Sequence, residues 1–467
     1  MTGPVPHIPE DMLRAFLPRQ RWYAGTAEPS SLELVHRELL RDGWPKLVRL
    51  LVAADGHCYQ VLIGLRPDGE QLDFLRGHED AAMGSVDLDD ENGGDRATAY
   101  DATFDPDLGL HLYWHVTGGN EDAERVRPIG VEQSNTSLVY DERVILKVFR
   151  KLLPGPNPEI EVTSALHRVG FPWVAEPIAF ERVDLGSGVR YDLAFVQPFL
   201  AGAVDGWALA LTSLRDLFGV HDTQSMPVIT LDMPPPASLD PADAGGDFSA
   251  DAYRLGETTA AMHIALAEAF GRDDGDPPET RAAAWADDIE AQARRALGDV
   301  VPALAILDDL RRADPGPAIR AHGDYHLGQV MRTDAGWYVL DFEGEPDRPL
   351  EERQRRTSPL RDVAGMLRSF HYASAVAAAE RDGSNIGDCG PPAEAWEARN
   401  RRAFLDGYLP AAAKGAILPA DQASVDALLA AFELEKAVYE LSYERSHRPE
   451  WEHIPQKALR RLGVGVR

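Results

Sequence analysis

Cysteine is almost absent: only Cys58 and Cys389 occur among 467 residues. Two thiols so far apart in sequence supply neither a disulfide framework nor a four-thiolate metal site, and they suit a reducing, cytoplasmic setting. Lysine is nearly as rare. It occurs at Lys46, Lys147, Lys151, Lys414, Lys436 and Lys457, and arginine makes up the rest of the 47 basic residues. Against these stand 76 Asp and Glu, a formal net charge of −29. Such a balance excludes sequence-independent nucleic-acid binding, which needs Lys and Arg to release phosphate counterions, and it opposes docking on anionic lipid. No apolar run approaches the ~20 residues of a membrane-spanning helix. The opening MTGPVPHIPEDM has neither the basic nor the apolar region of a secretory signal. Neither HExxH nor a Cys/His ligand spacing occurs, so no zinc site is expected.

What is present is a globular composition, 44% hydrophobic, long enough for about two or three domains. The patterning predicts a short helix over 11–17, then strands over 47–53 and 58–65. The acidic stretch 86–107, with its glycine pair, reads as a boundary or exposed hairpin. A strand-rich segment follows, with strands at 110–116, 126–132, 137–140 and 144–149. Next come a helix over 157–169 and strands near 175–181 and 192–199. Asn157 is the expected N-cap, with Pro158 in the first turn. Beyond Gly206 the chain turns helical and alanine-rich, with helices expected over 207–218, 252–270, 280–296, 301–312, 358–379, 393–408 and 422–445. The proline-rich stretch 226–246 is too long for a simple connection and reads as an insertion or arm.

One strand–turn–strand unit, 318–342, interrupts those helices and carries the chemistry. His322-Gly323-Asp324-Tyr325-His326 is followed by Gln329, and the apolar run from Trp337 ends at Asp341. A carboxylate that accepts a hydroxyl proton, plus an amide and a second carboxylate on Mg²⁺, is the equipment of phosphoryl transfer. Upstream, Lys147 sits inside the apolar strand Val144-Ile-Leu-Lys-Val-Phe149 and needs an anionic partner there. Bound phosphate and Glu161 are the preferred partners, with Glu159 as the alternative. Glu132-Gln-Ser134-Asn135-Thr136-Ser137 precedes it, a polar turn able to cover phosphates. Polar loop, strand lysine, helix glutamate, Asp-x₄-amide loop and metal-binding Asp follow the protein-kinase order.

HGDYHLGQ with DFEGEP resembles the aminoglycoside phosphotransferase/choline-kinase branch of the protein-kinase-like fold. RQRWYAG, VEQSNTS before ILKVFR, the block from DFEGEP to RSFHYA, and ELEKAVYELSYERSHRPEW resemble the bacterial maltokinase family, so the likeness spans nearly the whole chain. The resemblance implies an α+β, bilobal protein-kinase-like fold with an additional N-terminal α/β cap. The cap would occupy 1–88, a β-rich nucleotide lobe 89–200, and a helical lobe with the catalytic loop and sugar site 201–467. It further implies ATP and Mg²⁺ as cofactors, maltose as acceptor, maltose 1-phosphate as product, and trehalose synthase as a pathway or physical partner. Asp324 would be the catalytic base and Gln329 and Asp341 the Mg²⁺ ligands. Ser134, Asn135, Thr136 and Ser137 would hold phosphate, Lys147 with Glu161 would pair with it, and Gln197 to Phe199 would form the adenine hinge. Tyr372, Lys436, Tyr439, Glu440 and Tyr443 are the sugar candidates, the last four sharing one helical face. A kinase of the same fold acting on glucosamine is the rival, with Glu440 and Glu444 as its amine pocket. A catalytically silent regulatory subunit is the reading from a different class.

Several neighbours read as structural. His322 and His326 order the loop, Asp362 supports it from a helix start, and His263 is a bonded core histidine. Arg19 to Trp22 anchors the N-terminal domain.

Overall fold

The computed structural model describes residues 5–25, 27–88, 96–119, 122–129, 135–186, 188–225, 247–273, 277–298, 304–345, 348–382 and 390–464. The chain divides into two units, one of residues 1–164 and 175–201, the other of residues 165–174 and 202–467.

The first unit opens with helix α1 (Glu10–Phe16) and strands β1 (Leu32–Arg41), β2 (Lys46–Ala54), β3 (His57–Pro67), β4 (Ala82–Asp87) and β5 (Arg96–Asp101). Helix α2 (Pro106–Val116), β6 (Val126–Pro128), β7 (Asn135–Tyr140), β8 (Val144–Phe149) and β9 (Lys151–Leu152) follow. Helix α3 (Pro158–Arg168), whose residues from 165 on belong to the second unit, β10 (Ala179–Asp184) and β11 (Arg190–Pro198) complete the series. Two antiparallel sheets result, one ordered β1-β2-β3-β5-β4 with β9 against β3, the other β10-β11-β8-β7-β6. β2 and β3 are near-continuous apolar runs because both their faces are covered. Val48, Leu50 and Ile63 pack with Leu13 and Phe16, while Leu47 and Leu62 pack with Leu108 and Leu112 of α2.

Two expectations are corrected here. Residues 110–116 form the end of helix α2 and not a strand. Asp105 caps that helix by accepting from the Asp107 N–H at 2.9 Å, and Pro106 occupies its first turn. The first sheet also runs on past residue 88, since β5 pairs with both β3 and β4. The boundary placed at 88 falls inside it, and the tip between β4 and β5 lies outside the described residues.

Buried arginines join the two sheets. Arg49 of β2 forks onto Glu181 of β10 at 2.5 Å on both oxygens. Arg150 reaches Asp101 of β5 at 2.7 Å and Thr136 of β7 at 2.9 Å, with its guanidinium 5.2 Å above the Trp22 ring. Arg19 donates to the Ala82 carbonyl and Gln20 to that of Asp80. The RQRW segment is thereby bonded into the first unit.

The second unit is mainly helical. Its elements are β12 (Val204–Asp205), α4 (Gly206–Ser225), α5 (Ser249–Phe270), α6 (Pro278–Leu297), α7 (Leu304–Arg312) and β13 (Ile319–Arg320). They continue with β14 (Val330–Arg332), β15 (Trp337–Val339), α8 (Leu350–Arg353), β16 (Arg356–Thr357) and α9 (Leu360–Asp382), then α10 (Gly390–Lys414), α11 (Gln422–His447) and α12 (His453–Arg461). β12-β14-β15 form one small sheet and β13-β16 another. α5 and α10 approach until their backbones nearly touch. A Cβ on Gly256 would lie 2.1 Å from the Phe404 carbonyl, and one on Gly407 2.1 Å from that of Tyr253. The 226–246 insertion lies outside the described residues.

Candidate active site

The loop after β13 is held by a single buried carboxylate. Asp362, in the first turn of α9, accepts from the backbone N–H groups of His322 at 2.7 Å and Gly323 at 2.9 Å. It also accepts from His263 Nε2 at 3.0 Å, and His263 Nδ1 meets the Tyr408 hydroxyl on α10. Burial acts to raise the Asp362 pKa, but the hydrogen bond and charge of His263 outweigh it and hold the carboxyl below its usual range. Gly323 takes a φ of +91°, which a side chain would resist. α9 comes so close that a Cβ on Gly365 would lie 2.6 Å from the Tyr325 carbonyl.

This anchoring leaves Asp324 as the partly exposed carboxylate of the loop. Its Oδ1 lies 3.2 Å from Lys436 Nζ on α11, and Lys436 also donates to Glu345 at 2.6 Å. Burial pushes the Asp324 pKa up, but Lys436 and His326 overcome that, and it stays below the ordinary carboxylate value. Asp324 is therefore an ionised hydrogen-bond acceptor at neutral pH. His322 donates from Nε2 to the Leu340 carbonyl at 2.9 Å, and its Nδ1 accepts from the Asp324 N–H at 3.4 Å. His326 Nδ1 accepts from the Gly328 N–H. Both imidazoles order the turn.

Gln329 and Asp341 are brought together, with Gln329 Nε2 3.4 Å from Asp341 Oδ2. Asp341 stands at φ +59°, a left-handed conformation that Asp tolerates better than most residues and that clusters at functional sites. Asp341 and Glu343 offer carboxylate oxygens within 4.8 Å of each other. Carboxylate and amide oxygens are the hard donors Mg²⁺ takes, so this residue set fits that ion. When bound, the ion would neutralise phosphate charge. Glu343 was not singled out from sequence. The acidic density of DFEGE was the available signal.

In the first unit, Lys147 of β8 is buried and ion-paired, at 2.6 Å, with Glu159 of α3. This corrects the preference for Glu161. Asn157 accepts from the Glu159 N–H at 2.8 Å, which fixes Glu159 in the first turn of a helix starting at Pro158. Side chains in a helix lean toward its N-terminus, so the earlier glutamate meets the lysine. Ser137 lies opposite Lys147 in the ladder, Asn135 is buried, and the Thr136 hydroxyl is taken by Arg150. Ser134 lies outside the described residues. Gln197 pairs with Ile145 in register, and the Phe199 N–H donates to the Arg143 carbonyl at 2.8 Å.

Comparison with known proteins places this geometry. Residues 16–105 match the maltokinase N-terminal cap domain, a span that takes in β5, and residues 234–400 match the phosphotransferase enzyme family. A glucosamine kinase of Streptacidiphilus jiangxiensis is 32% identical over 353 residues, 71% of this chain and 72% of that protein. A glucosamine kinase of Mycolicibacterium smegmatis is 26% identical over 346 residues, 74% of this chain and 81% of that one. The chain belongs to the phosphotransferase enzyme family. The fold agrees: a glucosamine kinase solved with glucosamine, ADP and inorganic phosphate superposes with a TM-score of 0.63 at 23% identity, covering 98% of this chain and 99% of that one.

Among the residues expected to meet the sugar, Lys436 lies 4.9 Å from the Tyr439 ring centroid, and Tyr439 and Tyr443 stack at 6.3 Å. The shared helical face therefore exists, and its first member touches Asp324. Tyr372 and Glu440 are tied elsewhere. Arg368 of α9 donates to Glu440 at 2.6 and 3.0 Å and covers the Tyr372 ring, while the Tyr372 hydroxyl donates to Glu444 at 3.2 Å. Arg368 escaped the sequence reading because nothing in its helix period marks it off from a surface arginine. Among the described residues, no helix is long and apolar enough to cross a membrane.

Proposed function

We propose that this phosphotransferase transfers the γ-phosphoryl group of ATP, with Mg²⁺, to a hydroxyl of a neutral sugar, and that the sugar is maltose, giving maltose 1-phosphate. Asp324 accepts the hydroxyl proton, and Gln329, Asp341 and Glu343 hold the ion. The Lys147–Glu159 pair, Asn135 and Ser137 serve the nucleotide phosphates, and Gln197 to Phe199 its base. Positioning and charge neutralisation supply most of the rate in such a reaction.

The observation that carries the neutral-sugar reading is the charge state of the α11 face. An amino sugar needs a carboxylate for its ammonium group. Glu440 is already neutralised by Arg368 at 2.6 Å, and Glu444 by Arg448 at 2.9 Å. Asp324 and Glu345 are in turn both paired with Lys436. The reading in which the acceptor is glucosamine is favoured by a different observation, the activity named for both curated relatives. Trehalose synthase as partner and a cytoplasmic location belong to the maltose reading.

ADP formation from Mg-ATP with maltose, glucose, trehalose and glucosamine supplied separately tests it, with Asp324→Asn as control. Turnover on maltose, reduced at least 10²–10⁴-fold in Asp324→Asn, is expected. Turnover on glucosamine alone transfers the enzyme to the second reading. Tight ATP binding with no turnover on any sugar overturns both.

A further inference from the structure

The cations that pair the carboxylates of the α11 face differ in how firmly they are held. Lys436 is shared between Asp324 and Glu345, and Arg448 meets Glu444 with 44% of its side chain exposed. Arg368 comes from another helix, α9, and its side chain is 4% exposed. Its Nε and one terminal nitrogen both donate to Glu440 Oε2, at 3.0 and 2.6 Å, and its guanidinium carbon lies 5.6 Å from the Tyr372 ring centroid. Glu433 is taken by Arg401 at 2.8 Å, so Glu440 is the one ion-pair partner of Arg368 among the described residues.

We infer that Arg368 is the residue that sets the charge class of the acceptor. Both of its bonds fall on Oε2, and Oε1 of Glu440 takes no hydrogen bond among the described residues. Glu440 stands four residues beyond Lys436 on the same helical face, about 6 Å along the axis, and Lys436 is the side chain that touches Asp324. The open carboxylate oxygen is therefore one turn of helix from the lysine at the proposed proton acceptor. This role rests on the sugar-kinase reading and gives that site its specificity-determining side chain.

The pairing changes what Glu440 can bind. With the guanidinium on Oε2, the pair carries no net charge, and Oε1 accepts a hydrogen bond from a hydroxyl of a neutral sugar. Without it, the same carboxylate is a half-buried anion beside the acceptor, and such an anion needs a cation to offset its lost hydration. An amino sugar brings an ammonium group, and maltose brings none. Arg448 is too exposed to make the same difference, because solvent screens its pair with Glu444. Arg368 acts through Glu440 and Tyr372 without touching the sugar, so it is a positioning residue.

The test is kcat/KM for maltose and for glucosamine, measured on the full chain with saturating Mg-ATP in wild type, Arg368→Met, Glu440→Gln and the double variant. Arg368→Met should raise the glucosamine-to-maltose ratio by about tenfold or more. Glu440→Gln leaves the guanidinium uncompensated and should lower the ratio several-fold. The double variant has neither charge and should return to within about threefold of wild type. Arg368→Lys keeps a cation and should keep the wild-type preference. Melting temperatures show which variants are folded; if Arg368→Met is not, Glu440→Gln and the double variant read the pair from its other side. A ratio unmoved in the folded variants, a parallel fall for both acceptors, or a glucosamine gain that survives in the double variant would each overturn the role of Arg368 alone. If wild type uses a different neutral sugar, that sugar takes the place of maltose in the ratio. Wild-type turnover on glucosamine alone, or on no sugar, would overturn the proposed function and the role of Arg368 with it.

Discussion

Replacing Asp362 by Asn tests whether one buried carboxylate shapes the loop that carries Asp324. The side chain is 2% exposed and serves three donors, the His322 and Gly323 N–H groups and His263 Nε2. Its Oδ2 takes two of them and Oδ1 the third. An amide keeps one acceptor and turns an NH₂ toward the remaining donor. One charge-assisted bond, worth about 1.5–3 kcal/mol, is lost and a buried donor is left unpaired, so a total near 3 kcal/mol is expected. That corresponds to roughly 6–12 °C in Tm for a domain of this size. Because the loop carries Asp324, a displacement of about 1 Å should also lower kcat on the order of 10²-fold, with the KM for ATP unchanged. The pH dependence has a definite sign. The folded-state pKa of Asp362 lies below its unfolded value, so its stabilisation is complete above about pH 4 and is lost as pH falls through the folded value. The Tm gap between wild type and Asp362→Asn should therefore be widest near neutrality and close in acid. An Asp362→Asn protein with wild-type Tm and kcat at pH 7 would refute the reasoning. A lower Tm with full kcat would leave Asp362 as packing and remove its positioning role.

Further outcomes follow from other contacts. Lys436→Met removes the cation that holds Asp324 low, so the acid limb of the kcat/KM profile should move to higher pH; an unmoved limb would show that Lys436 does not set it. Glu159→Gln removes the carboxylate 2.6 Å from the buried Lys147 ammonium and should reduce stability by about 3–5 kcal/mol in urea unfolding. Glu161→Gln should lose less, and the reverse order would restore Glu161 as the partner. Gly365→Ala pushes a methyl group against the Tyr325 carbonyl, a change expected to be destabilising by about 1–3 kcal/mol and to lower kcat, both absent if α9 can retreat.

The sequence by itself determined the order of the local elements that carry the proposed chemistry. A lysine inside an apolar strand, a capped helix after it, HGDYH with Gln329, and Asp341 ending a strand are local patterns, and each was legible because its spacing is set by backbone period. The helices beyond Gly206 were readable for the same reason. Misreadings came where a local signal was passed over or where partners are far apart in sequence. Helix α2 is announced by Asp105-Pro106, whereas its apolar run taken alone predicts a strand. That β5 returns to β3 across the acidic stretch is a long-range pairing, which no window contains. Glu159 over Glu161 was decided by about half a turn of helix, a rotation set by the Asn157 cap and the packing of Ile160 beneath it. Lys436 on Asp324, Asp362 under His322 and Arg368 on Glu440 join residues dozens of positions apart. Composition and period say which side chains are inside, but only the folded chain sets which buried charge meets which, because a buried ion is tolerated only where a partner has been delivered to it.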